Sequence, residues 1–112
     1  MAGGDYVYRS KLVRVIDGDT VVLALDMGLR MTATVPIRLL GVDTPERSTL
    51  EGKAATVWVE QWMNDHPDLQ VATFKNPEKY GRWLGIIFPD GQPNTTLNQA
   101  LLDAGMGVEY TT

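Results

Sequence analysis

The hydrophobic period of this chain changes at Leu50, and that change limits the folds open to it. Before Leu50, three runs carry the β-branched and aromatic residues of strands: YVYRSKLVRVI, TVVLALDM and MTATVPIRLL. DGD at 17–19 is a tight turn signal between the first two, and Gly28 breaks the second from the third. Pro36 implies an edge or a bulge within the third, because proline has no N–H to give a sheet ladder. From Leu50 to Asn64 the spacing becomes helical, through Ala54, Val57, Trp58, Gln61 and Trp62, with Ala55 and Val59 beside them. Ser48 or Thr49 can cap the start of this helix; Ser48 has the reciprocal Glu51 three residues on. Pro67 closes it. LQVATFK and RWLGIIF then read as two more strands around the loop NPEKYG, and PDGQ ends the second of them. A short helix follows through TLNQALLDA, with Gly105 as a left-handed cap and MGVEY as a last extended piece.

Three strands, a helix, two strands and a helix make a mainly β, α+β chain. That order suits a five-stranded OB-fold barrel with a helix between strands three and four and a short C-terminal helix. Another open α+β sheet could hold the same elements. With 112 residues and no linker or repeat, one domain over 1–112 is expected. The absence of cysteine excludes disulfides and thiolate metal sites, and a single His66 excludes a two-histidine site. No apolar run approaches the roughly 20 residues of a membrane span, and the first residues do not form a secretory signal. If Met1 is the native start, a cytoplasmic protein without membrane attachment is expected, as a monomer with oligomers left open. The net charge of −4 is the wrong sign for a general nucleic-acid coat, so any work on phosphate must rest on a few placed charges. Trp58, Trp62 and Trp83 read as packing residues rather than base-stacking platforms.

Three separated pieces share one chemistry. They are Asp17-Gly18-Asp19-Thr20 at the first turn, Arg38 with Asp43, Thr44 and Glu46 at the end of the third strand, and Lys79, Tyr80 and Arg82 before the fifth. Each alone has a structural explanation: a hairpin turn, an ion pair closing the sheet, a solvated strand end. DGD also fails as an EF-hand loop, lacking its sixth-position glycine and twelfth-position glutamate.

Together, and in this order, VIDGDTVVLALDMG, IRLLGVDTPE, KYGRWLGIIF and TLNQALLDAGMG resemble the staphylococcal nuclease (thermonuclease) family from about Leu12 to Tyr110. The resemblance implies a calcium-dependent endonuclease hydrolysing DNA, with RNA also open. It implies Asp19 and Asp43 as calcium ligands with the main-chain carbonyl of Thr44. It implies Glu46 as general base or water-positioning group, and Arg38 and Arg82 gripping the phosphate under attack. Lys79 and Tyr80 match residues holding a neighbouring phosphate, Tyr110 lies near the place of a substrate-stacking tyrosine, and Asp17 matches an aspartate outside the metal's direct shell. This chain departs from the type member in its acidic charge, a shorter loop after Glu46 and no counterpart of the third helix within its 112 residues.

The chemistry is consistent with these roles. Oxygen ligands alone suit a hard cation such as calcium or magnesium. Asp19, Asp43, Glu46, Arg38 and Arg82 leave one net negative charge, which a divalent cation turns into one positive charge. Two guanidinium forks and a cation then stabilise charge building on a five-coordinate phosphorus. Two carboxylates around one ion also predict a raised pKa within the Asp19/Asp43 pair when the ion is absent. A non-catalytic OB-type binding module is the alternative, although such copies typically lose the acidic ligands or arginines kept here.

Overall fold

β-branched and aromatic residues make a first strand, β1 (Tyr6–Asp17), whose 12 residues serve two neighbours. In the computed structural model, which describes residues 6–75 and 83–111, it is followed by β2 (Thr20–Asp26), β3 (Thr32–Leu39), the two-residue β4 (Val42–Asp43) and α1 (Leu50–Asp65). Then come β5 (Leu69–Lys75), β6 (Trp83–Pro89), α2 (Leu97–Asp103) and the two-residue β7 (Val108–Glu109). β1 pairs with β5 over Tyr6–Ser10 and with β2 over Ser10–Asp17, so the chain turns a barrel corner at Ser10. Register shifts between Leu12 and Arg14 and between Val15 and Asp17 supply the bend. The closed barrel runs β1-β2-β3-β6-β5, with β3 and β6 parallel over Ile37–Leu39 only. Pro36 pairs with Val22 of β2 and lies beyond the reach of β6, so the expected edge is there.

Inward residues of the barrel (Leu23, Ile37, Leu39, Val71 and Ile87 among them) meet Val59 and Met63 of α1 and Leu97 and Leu101 of α2 in one core. Burial of each such side chain contributes about 1.5–3 kcal/mol. The three tryptophans pack against this core, as their spacing implied. The buried face of α1 is Gly52, Ala55, Val59 and Met63. It is turned away from the Ala54–Val57 line expected from spacing, since both of those residues are exposed. Trp58 and Trp62 flank that face, and their bulk made the neighbouring line look apolar in sequence. Thr49, not Ser48, caps the helix: its Oγ1 accepts the Gly52 N–H at 3.0 Å and donates to the Glu46 carbonyl at 2.7 Å. That second bond, fixed by the incoming loop, outweighs the reciprocal glutamate that favoured Ser48.

At the C-terminal end of α2, Gly105 takes a φ of +72°, and Met106 N–H bonds back to the Leu101 carbonyl at 3.0 Å. The chain is thereby aimed so that β7 can pair with β4, through Val42 with Glu109 and Asp43 with Val108. Asn98 joins these parts. Its amide donates to the Leu40 and Gly85 carbonyls at 2.9 and 3.0 Å, and its Oδ1 accepts the Ile87 N–H at 3.1 Å. No helix among the described residues is long and apolar enough to cross a membrane.

Candidate active site

The site begins at the β1–β2 turn, where Gly18 and Asp19 lie between the paired Asp17 and Thr20. Gly18 is needed for closeness rather than for a left-handed backbone. A Cβ there would lie 2.8 Å from Thr44 Oγ1 and 2.9 Å from Ala55 Cβ. That approach presses the turn against α1 and against the chain leaving β4. Asp19 is consequently buried, at 8% exposure. Its Oδ2 accepts the Thr44 N–H at 3.1 Å and its Oδ1 accepts the Thr20 hydroxyl at 3.2 Å. Its own N–H is bonded to Asp17 Oδ1 at 3.1 Å.

Strand alternation explains an arginine among apolar residues. Ile37 and Leu39 face the barrel interior, which puts Arg38 on the outer face at the end of β3. Its Nη1 donates to the carbonyls of Leu39 at 2.9 Å and Val42 at 2.8 Å. Two main-chain acceptors on one nitrogen fix the plane of the guanidinium. Its Nη2 then lies 3.3 Å from Asp43 Oδ1 and 3.7 Å from Asp19 Oδ2. Turn and strand end, well separated in sequence, thus bring Asp19 and Asp43 to one guanidinium nitrogen.

Charge settles unevenly among the carboxyls. Burial pushes Asp17 up to about 6, helped by its hydrogen bond with Asp19 and by that neighbour's charge. Burial also acts to raise Asp19. The hydrogen bond from Asp17, the Thr44 N–H and the positive Arg38 overcome it and hold Asp19 below the usual carboxylate range. The carboxyl raised beside Asp19 is therefore Asp17, whereas Asp19, expected to repel Asp43, is held low. At Asp19 that repulsion is outweighed by the Asp17 hydrogen bond, the Thr44 N–H and the Arg38 guanidinium.

Glu46 is exposed, and its carboxylate has no partner among the described residues, while its main chain is tied down. Its carbonyl accepts from Thr49 N–H and Thr49 Oγ1, and a Cβ on Gly52 would collide with that carbonyl oxygen. The loop after β4 is thus laid directly on the first turn of α1. Tyr110 also comes to the site: Arg38 Cζ lies 5.3 Å from the centre of its ring. Lys79, Tyr80 and Arg82 lie outside the described residues.

Residues 36–112 match the family profile described as staphylococcal nuclease homologue. The chain belongs to the staphylococcal nuclease homologue family. The match opens at Pro36, so Arg38, Asp43 and Glu46 fall within it, whereas Asp19 is joined to that segment through the fold. A relative in Methanocaldococcus jannaschii, an uncharacterized protein, is 31% identical over 128 aligned positions. That alignment covers 92% of this chain, which spans 59% of the relative's length.

Among the described residues, no group of three or more His, Asp or Glu side chains could hold a metal by itself. What this member of the nuclease family does offer is two carboxylates facing one cationic nitrogen, with the Thr44 main chain between them. Thr44 Oγ1 is buried against Gly18 with no hydrogen-bond partner among the described residues. This oxygen-only set fits a hard divalent cation that keeps several waters. Sequence reasoning missed Gly52 and Asn98. Gly52, beside the Thr49 cap, carried a signal as a small residue in the first turn of a helix; Asn98 carried none.

Proposed function

We propose that this chain is a metal-dependent phosphodiesterase, with calcium as cation and DNA or RNA as substrate. The observation that carries this reading is Arg38: a guanidinium fixed by two main-chain carbonyls on the outer barrel face, with Asp19 and Asp43 at the same nitrogen. An exposed carboxylate on a fixed backbone, Glu46, stands in the adjoining loop.

In this reading Asp19, Asp43 and the Thr44 carbonyl hold the cation, which when bound withdraws negative charge from the phosphodiester oxygens. Nη1 of Arg38 is anchored before substrate arrives, and Nη2, which pairs with Asp43 and Asp19 in the metal-free chain, would turn to a phosphate when those carboxylates hold the cation. Arg82 grips the same phosphate from a second side, while Lys79 and Tyr80 hold the neighbouring one. Tyr110 lines the substrate side. Glu46 takes a proton from the attacking water as its oxygen bonds to phosphorus. The ester oxygen opposite departs with its electron pair and takes a proton from solvent water. As charge builds on the equatorial oxygens, the preset Arg38 stabilises it without reorganising.

The test is hydrolysis of DNA and RNA by purified protein in calcium, in magnesium and in excess chelator. Activity in calcium that chelator abolishes is expected, and full activity in chelator would overturn the metal assignment. Binding of nucleic acid in calcium without hydrolysis would favour the non-catalytic OB-type module.

A further inference from the structure

We infer that Tyr110 is a positioning residue for Arg38, acting through the β4–β7 ladder. This rests on the nuclease reading above. Nη1 of Arg38 is fixed by the Leu39 and Val42 carbonyls, whereas Nη2 meets Asp43 and Asp19, the carboxylates assigned to the metal in the reading above. The Tyr110 ring, 5.3 Å from the guanidinium carbon, lies against that planar group and keeps its orientation when those carboxylates are given to the metal. The ring is itself held. Tyr110 N–H bonds to the Gly41 carbonyl at 3.0 Å, and the two preceding residues pair with Val42 and Asp43.

Asp43, Val108 and Tyr110 therefore belong to one short ladder beside Arg38. The pairing sets the separation of the metal-side carboxylate, the aromatic ring and the phosphate-side guanidinium. A ring engaged with the arginine presents only its other face to a substrate base. Its contribution then falls on the chemical step, through the aim of Arg38, more than on the grip on nucleic acid.

Two measurements test this on the whole chain. In the first, steady-state hydrolysis in calcium is compared for wild type, Tyr110→Leu, Tyr110→Phe and Arg38→Lys, with Tyr110→Leu also made in the Arg38→Lys background. A drop in kcat of about threefold to thirtyfold is expected for Tyr110→Leu, with KM nearly unchanged. Tyr110→Phe recovers the larger part of that loss. In the Arg38→Lys background the same leucine costs much less, because the planar cation is gone. In the second measurement, NMR follows the Arg38 side-chain protons. Their upfield ring-current shift is present in wild type, kept in Tyr110→Phe and lost in Tyr110→Leu.

A rise in KM with kcat unchanged would make Tyr110 a base-stacking residue and overturn the proposal. An Arg38 signal without ring-current shift, or an undiminished leucine effect in the Arg38→Lys background, would do the same. If wild type binds calcium but hydrolyses nothing, the nuclease reading fails and the proposal with it. If wild type hydrolyses and only the kcat loss is missing, the proposal alone fails.

Discussion

Arg38 and Asp17 show how single side chains at this site are set by neighbours rather than by residue type. Arg38 spends one nitrogen on two main-chain carbonyls and turns the other to the Asp43 and Asp19 carboxylates. Arg38→Ala is expected to lower turnover about 10²–10³-fold, the usual effect of losing one preset transition-state donor, or roughly 2.7–4 kcal/mol. Arg14→Ala, at an exposed place on β1, should change it little; equal losses at both would indicate diffuse electrostatic attraction instead. Asp17 gives a pH dependence. Its carboxyl titrates near about 6 in the folded chain against an ordinary value of 3.8, so between those values the folded state binds more protons. The stability it contributes is fully present below about pH 4 and is lost as pH rises through 6. Asp19 runs the other way, being held low, and contributes stability that disappears in acid. Asp17→Asn keeps an acceptor for the Asp19 N–H and a donor toward the Asp19 carboxylate, imitating the protonated acid. In chelator its melting temperature should equal that of wild type near pH 4 and exceed it at pH 7. A variant that melts lower at pH 7 would show that the ionised Asp17 is a structural partner.

At the scale of elements, the strand–helix order and the barrel were legible because period-2 and helical spacing hardly overlap in this chain. Arg38, Asp43 and Glu46 were legible as a group because they lie within nine residues of one another. The cap and the buried line of α1 were not. Both depend on how the loop after β4 lies across the helix start, a contact that local spacing does not encode. Likewise nothing in TLNQALLDA marks Asn98 as the residue that joins the end of β3, β6 and α2. Gly52 states the same point in steric terms. A Cβ there would collide with the Glu46 carbonyl oxygen and carbon, both main-chain atoms that cannot swing aside. Gly52→Ala should therefore move the loop and lower kcat, although alanine is the better helix former. Circular dichroism should show the helix retained while hydrolysis falls. Unchanged kcat in Gly52→Ala would mean that the placement of Glu46 does not limit the reaction.

Over the whole molecule, fourteen acidic residues outnumber ten basic ones, so long-range attraction does not gather nucleic acid onto this surface. One cluster of cations among the described residues is matched by carboxylates. Arg9, Lys11 and Arg30 line a surface cavity of about 480 Å³ together with Asp26, Asp68 and Asp90. Within it Lys11 already pairs with Asp68 at 2.9 Å. Such a balanced groove gives a phosphate backbone little to follow. On the proposed reading, contacts to phosphate are expected at Arg38, Lys79 and Arg82, with the cation beside them. Each neutralised phosphate adds about 0.7–0.9 to the slope of log affinity against log salt, so a slope of about 2–3 is expected. The measurement is nucleic-acid binding by Glu46→Gln in constant calcium, where slowed cleavage leaves the substrate intact. A slope above about 5 would require six or more contacts and hence a basic track beyond these three side chains. A slope near 2–3 would place affinity in the same few side chains that perform the chemistry. Substrate capture and turnover would then weaken together when Arg38 is replaced, while Arg9, Lys11 and Arg30 could be exchanged with little effect on either.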